Sequence, residues 1–87
     1  MEIYILFIPD SATENTIKEL FRRYGQVKTV RIMTYKSTGE RAGRAFVDMP
    51  NDDEAQKAIA ELNGKVIQGS KIFVEKARSK AYESKTK

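Results

Sequence analysis

The stretch Ala42–Met49 combines side chains that suit contact with a flat, charged ligand. With the two-residue period of a β-strand, small apolar residues fall on one face and Arg44, Phe46 and Asp48 fall on the other. An aromatic ring between two charged side chains does not suit a protein core. The stretch therefore predicts a strand whose exposed face contacts a planar, negatively charged polymer.

The composition disfavours most catalytic chemistry. The 87 residues include no cysteine and no histidine, so disulfides, thiolate metal sites and the commonest general base are missing. The length and the 40% hydrophobic content suit one small globular domain. The longest apolar run, residues 3–8, is too short to cross a bilayer and follows no basic leader. We expect a cytoplasmic protein with no cofactor, no metal and no membrane contact.

Positive charge is concentrated near the end of the chain. The formal net charge is +4 at pH 7, and residues 78–87 hold four Lys or Arg against one Glu. We therefore expect a folded domain over residues 1–77 and a basic, flexible tail over residues 78–87. A solvated tail is the default interpretation, and contact with phosphate is the alternative.

Two segments carry apolar residues at positions i, i+3, i+4 and i+7, which predicts two helices. Thr13 and Asn51 are the expected N-caps. A strict capping box at the first helix requires Glu or Gln where Thr16 stands. A left-handed Gly25 is expected to end the first helix, and Asn63–Gly64 the second.

Alternating or wholly apolar segments predict four strands, at residues 3–8, 27–34, 42–49 and 71–75. A polar hairpin loop is predicted over residues 35–41, and a short extended piece at Val66–Ile67 before a turn at residues 68–70. The order of elements is therefore βαββαβ. Burial of both helical stripes on one side of a single sheet satisfies every element and leaves the other side open.

The open side of this predicted sheet collects aromatic, aliphatic and cationic side chains. Those expected to face outward are Tyr4, Leu6, Arg31, Met33, Arg44, Phe46, Lys71 and Phe73, with Arg41 at the rim. Aromatic rings stack on nucleobases at roughly 1–3 kcal/mol per base, so two stacks supply at most ~6 of the ~8 kcal/mol that micromolar binding requires. Phosphate contacts must supply the remainder, which predicts salt-dependent binding.

Residues 3–8 and 42–49 resemble the two ribonucleoprotein motifs of the RNA recognition motif (RRM) family. Their separation and the order of elements match, as do Thr38–Gly39, Gly69 and Ala77. The resemblance covers about residues 2–77. As a compact single domain, the chain is similar to small bacterial RNA-binding proteins of the RRM type. It implies a ferredoxin-like α+β sandwich, with two helices on one face of a four-stranded antiparallel sheet and single-stranded RNA crossing the other face.

The resemblance assigns base stacking to Tyr4 and Phe46. Arg44 replaces the other octamer aromatic, and its guanidinium can stack or pair with phosphate. The full set of residues expected to bind RNA is Tyr4, Arg31, Met33, Arg41, Arg44, Phe46, Lys71 and Phe73. The chain also departs from the family pattern at Leu6 and Phe7, where a small residue and Asn are usual, and at Ala42, where a basic residue is usual.

Three functional classes follow from these observations. Binding of single-stranded RNA is the leading hypothesis, and the residues do not distinguish RNA from single-stranded DNA. The same apolar face could serve instead as a protein-interaction surface or a weak homodimer contact, which Leu6 and Phe7 favour. An enzyme is not expected. Some small ferredoxin-like proteins hydrolyse acyl phosphates, but no glycine loop or activated nucleophile is recognisable here.

Overall fold

A four-stranded antiparallel sheet, covered on one face by two helices, forms the body of the molecule. A computed structural model of the chain describes residues 1–34, 37–39 and 41–77, without the side chains of Arg41 and Ala42. The elements are β1 (Glu2–Leu6), α1 (Glu14–Arg22), β2 (Thr29–Thr34), β3 (Arg41–Asp48), α2 (Asp52–Leu62), β4 (Val66–Ile67), β5 (Ser70–Lys71) and β6 (Phe73–Lys76). The strand order in the sheet is β2-β3-β1-β6, with antiparallel neighbours throughout. The predicted ferredoxin-like α+β sandwich is confirmed.

The hydrophobic core lies between the two helices and one face of the sheet. The sheet contributes Ile3, Ile5, Ala45, Val47 and Val74, and the helices contribute Ile17, Phe21, Ala55, Ala58 and Leu62. Every one of these sheet residues follows the two-residue alternation read from the sequence. Because one face of each strand is committed to the core, the residues between them must face the open side.

Both helices begin at the predicted caps. Thr13 Oγ1 accepts a hydrogen bond from the Thr16 backbone N–H, and Thr16 Oγ1 accepts one from the Thr13 N–H, each at 3.1 Å. Thr16 therefore completes the capping box that was expected to lack its Glu or Gln, because a hydroxyl oxygen also reaches the N-cap N–H. At α2, Asn51 Oδ1 accepts from the Glu54 N–H at 3.0 Å.

The two helices end differently. Asn63 is the C-cap of α2 and Gly64 follows at φ 84°, as predicted. The prediction for α1 is wrong, because Gly25 is not among the residues of positive φ. Its missing side chain instead makes room for Glu54. A Cβ built on Gly25 would lie 2.0 Å from Glu54 Oε1, and the same oxygen accepts a hydrogen bond from the Gln26 N–H at 3.2 Å.

Gly25→Ala is expected to lower the free energy of unfolding by about 1–2 kcal/mol, since Glu54 must move and leave the Gln26 N–H without this acceptor. Urea unfolding measures the loss. In a Glu54→Gly background the blocking atoms are gone, so the same Gly25→Ala change should cost less. Equal losses in the two backgrounds would contradict this packing role.

The strand ends depart from the predicted bounds. β1 ends at Leu6, two residues early, because Phe7 adopts φ 63°. The predicted last strand is divided, since Lys71 belongs to β5 and pairs with Val66 in a separate two-stranded ladder. This β4–β5 hairpin turns through Gln68 and Gly69, whose φ values of 49° and 86° suit a two-residue hairpin loop.

The extended piece predicted at Val66–Ile67 is confirmed as β4. Residues 35, 36 and 40 of the predicted loop and the predicted tail over residues 78–87 lie outside the described residues. Within the described residues, neither helix has the length and apolar character needed to span a bilayer.

Candidate functional site

The sheet register arranges the open face in three rows of cross-strand partners. The middle row is Arg31, Phe46, Tyr4 and Glu75; the upper row is Arg44, Leu6 and Phe73; the lower row is Thr29, Asp48 and Glu2. Adjacent rows are about 7 Å apart, since two residues along a strand separate them. The cations Arg31 and Arg44 and the aromatic rings lie in the middle and upper rows, with the carboxylate Glu75 at one end of the middle row. The lower row carries two carboxylates, and the N-terminal ammonium lies 3.8 Å from Asp48 Oδ1. The open face is therefore electrostatically uneven.

Tyr4 and Phe46 form a stacked aromatic pair in the middle row. Their ring centroids are 5.0 Å apart and the ring planes differ by 24°. The two residues are direct cross-strand partners, so the strand spacing itself brings the rings together. Contact of this kind contributes about 0.5–1.5 kcal/mol beyond the burial of area. We call this pair the Tyr4–Phe46 platform.

The two rings of the platform differ in exposure. Phe46 is half-buried, but Tyr4 is only 6% exposed. Tyr4 lies on the open face of the sheet, as expected. Its ring, however, is almost inaccessible to solvent. The accessible part of the platform is therefore Phe46.

Arg31 lies over the Phe46 ring, with its guanidinium carbon 5.6 Å from the ring centroid. Arg31 is an exposed side chain, and a cation–π contact at an exposed site contributes about 0.5–1 kcal/mol. Stacking of a nucleobase on an aromatic ring contributes about 1–3 kcal/mol. Stacking on this ring is therefore worth at least as much as the exposed cation–π contact that Arg31 makes with it.

The other predicted site residues divide between the sheet and its surroundings. Arg44 is exposed in the upper row, and Phe73 is 40% exposed in the same row. Met33 is 37% exposed at the end of β2, beside an irregularity in the β2–β3 pairing. Lys71 is exposed but lies in the β4–β5 hairpin alongside Gly64, so it is not part of the four-stranded sheet. The backbone of Arg41 pairs with Thr34, and its side chain lies outside the described residues.

Phe7 was considered in the sequence analysis only as support for a protein-interaction surface, and its conformation was not predicted. It was assigned to the first strand, but it has φ 63° and is 63% exposed, and its ring meets Phe73 edge to face at 5.6 Å between centroids. A bulky residue in the left-handed region costs about 1–3 kcal/mol and is found at functional sites more often than elsewhere. The available signal was that Phe7 stands where the motif usually has Asn, a residue type that adopts positive φ readily.

The described residues form no recognisable metal site. Among the described residues, no three His, Cys, Asp or Glu side chains form a group that could hold a metal ion. The chemistry offered by the open face is therefore stacking, cation–π contact and charge pairing.

Comparison with known proteins identifies the same type of domain. A family model described as the RNA recognition motif matches residues 3–72. The presumed RNA-binding protein RbpD of the cyanobacterium Nostoc sp. strain PCC 7120 is 40% identical over 78 residues, which are 90% of this chain and 83% of RbpD.

Solved structures agree with that match. The RNA-binding protein PG1 superimposes with a TM-score of 0.85 at 33% identity, over 90% of this chain and 94% of its own. A Sex-lethal protein–RNA complex gives a TM-score of 0.82 at 34% identity, over 88% of this chain and 46% of that protein.

Proposed function

Because the chain belongs to the RNA recognition motif family, we propose that it binds single-stranded RNA across the open face of its sheet and catalyses no reaction. The observation that carries this proposal is the Tyr4–Phe46 platform with Arg31 over the Phe46 ring, in the middle of the sheet face opposite α1 and α2. Family membership and the RNA-binding proteins that resemble the chain support the same class of ligand.

Binding begins at Phe46, because its ring is the accessible part of the platform. A base stacks on this ring and displaces the Arg31 guanidinium, which pairs with a phosphate of the same strand. Tyr4 holds the Phe46 ring from the side through the 5.0 Å stack. Replacement of the Arg31 guanidinium by a base is favourable, because base stacking contributes more free energy than a cation–π contact at an exposed site.

The charges on the face determine where the strand lies. Glu2 in the lower row and Glu75 at the β6 end of the middle row repel phosphate, whereas Arg31 and Arg44 attract it at the β2–β3 end of the middle and upper rows. The RNA backbone therefore follows the middle and upper rows rather than crossing all three. Arg44 takes the place of an aromatic residue in this arrangement and contributes charge where the family pattern has a second stack.

Self-association through the same face is the second candidate. The exposed apolar side chains Phe7, Met33 and Phe73 favour it, as they lie on or beside the open face. A weak homodimer, however, would leave Arg31 and Arg44 paired only where the symmetry brings them against Glu2, Asp48 or Glu75 of the copy. Since RNA neutralises the same cations, RNA binding is the better-supported function.

The salt dependence of binding tests the proposal. For single strands the slope of log K against log salt changes by about 0.7 for each phosphate contact. The double variant Arg31→Gln/Arg44→Gln is therefore expected to flatten the slope by about 1.4, measured by fluorescence anisotropy with a labelled single-stranded RNA at several salt concentrations.

The control removes the same charge from the helical side of the sheet. Arg22 and Arg23 lie at the end of α1, and both are exposed. Arg22→Gln/Arg23→Gln should leave the slope close to that of the wild type. The proposal fails if the two double variants flatten the slope equally, or if Arg31→Gln/Arg44→Gln leaves it unchanged.

A further inference from the structure

A second aromatic pair lies beyond the Tyr4–Phe46 platform. Phe7 and Phe73 are 63% and 40% exposed and meet edge to face at 5.6 Å, with 73° between their planes. Phe73 is the cross-strand partner of Leu6, so it lies one strand over and two residues along from Tyr4, about 8 Å away. The Phe7–Phe73 pair therefore continues the platform from the middle row past the upper row.

Hydrogen bonds from two directions hold the backbone around Phe7. The next residue, Ile8, donates its N–H to the Gly43 carbonyl of β3 at 2.9 Å. On the other side, Ser70 Oγ of the β4–β5 hairpin donates to the Phe7 carbonyl at 2.9 Å. Ser11 Oγ also donates to Gln68 Oε1, which ties the hairpin to the segment after β1. The first two contacts hold the peptide group that follows Phe7 in place.

The surroundings of the pair favour an aromatic, negatively charged ligand. Leu6 separates Phe73 from the exposed cation Arg44 in the upper row, while Lys71 and Glu75 lie two residues before and after Phe73. An edge-to-face pair leaves ring faces accessible, onto which a third flat ring can stack. Bases of single-stranded RNA can be splayed apart and stacked on separate aromatic side chains, so a second ring pair beyond the platform can take a further base.

We propose that Phe7 and Phe73 form a second base-stacking subsite, which takes one nucleobase of the RNA strand beyond the base on Phe46. This inference rests on the proposed RNA binding and names the direction in which the strand leaves the platform. The strand passes from the Tyr4–Phe46 platform over the upper row toward the β4–β5 hairpin, away from the carboxylates of the lower row.

Phe7→Asn tests the subsite and should leave the domain folded, because Asn adopts positive φ more easily than Phe does. We expect an unfolding midpoint at or above that of the wild type, and an affinity for an eight-nucleotide mixed-sequence RNA that is about 5- to 30-fold lower. Phe7→Tyr keeps a ring and should bind as the wild type does. Val66→Ala, which trims another exposed apolar residue on the β4–β5 hairpin, is the matched control and should also leave binding unchanged.

A tryptophan reporter gives a readout of stacking itself. The chain has no Trp, so Phe7→Trp places a single indole at the subsite, and its fluorescence should be quenched when RNA binds. Unchanged affinity in Phe7→Asn, while Phe46→Ala loses binding, would overturn the subsite and leave the proposed function standing. If the wild type itself binds no RNA, the proposed function fails together with the subsite. A concentration-dependent dimer that Phe7→Asn dissolves, with RNA affinity unchanged, would assign the pair to self-association and overturn the proposal.

Discussion

Phe46→Ala is expected to lower the affinity for single-stranded RNA about 10- to 100-fold while the domain remains folded. The ring is the accessible part of the platform, and alanine removes the surface on which the first base stacks, worth about 1–3 kcal/mol. The change also removes the 5.0 Å contact with Tyr4 that holds the rings in place. Fluorescence anisotropy measures the affinity, and circular dichroism checks the fold.

Phe46→Tyr is the matched control, because it keeps the ring and adds only a hydroxyl group. This variant should bind within a few-fold of the wild type. Retained affinity in Phe46→Ala would show that the platform does not carry binding. An equal loss in both variants would show that the ring acts through its exact shape rather than as a stacking surface.

Phe21→Ala is expected to lower the free energy of unfolding by about 3–5 kcal/mol, which is the usual cost of removing a fully buried Phe side chain. Phe21 is 0% exposed and is the largest of the fully buried side chains. A domain of this size has a total stability on the order of 5–10 kcal/mol, so the variant should keep about 0–7 kcal/mol and unfold at a clearly lower urea concentration. Urea unfolding followed by circular dichroism measures the loss.

Phe73→Ala makes the same chemical change on the other side of the sheet. Because Phe73 is exposed, its loss of stability should stay near 1 kcal/mol, most of it from the contact with Phe7. Similar losses in the two variants would contradict the division of the molecule into a buried helical side and an open side.

The order of elements and the inward faces could be predicted because they depend on local patterns. Strand alternation placed Ala45 and Val47 in the core, and the helical stripe did the same for Ile17 and Phe21. The caps at Thr13 and Asn51 were equally readable, since a cap involves residues only three positions apart. The resemblance to the family then implied that the open face binds RNA.

The features that could not be predicted depend on contacts between distant parts of the chain. Gly25 was expected to take a left-handed conformation, but its role is set by Glu54, which approaches it from α2. The low exposure of Tyr4 likewise depends on what packs around its ring, which alternation along one strand does not reveal. The assignment of Lys71 to a separate hairpin depends on its pairing with Val66.

The conformation of Phe7 is the clearest example of a feature that sequence patterns could not predict. A run of six apolar residues from Ile3 to Ile8 reads as one continuous strand, and β propensity does not locate its end. The strand stops at Leu6 because the following peptide is bound by β3 on one side and by Ser70 on the other. Tertiary hydrogen bonds thus override the local preference of a phenylalanine.

The most direct test of RNA binding by the open face is an NMR titration. Isotope-labelled protein is titrated with a short, mixed-sequence single-stranded RNA at low and moderate salt. We expect shifts concentrated on the middle and upper rows, at Arg31, Arg44, Phe46 and Phe73, weaker at the higher salt and absent from the exposed faces of α1 and α2. Unshifted sheet signals, or broad lines that sharpen on dilution without RNA, would contradict RNA binding by this face.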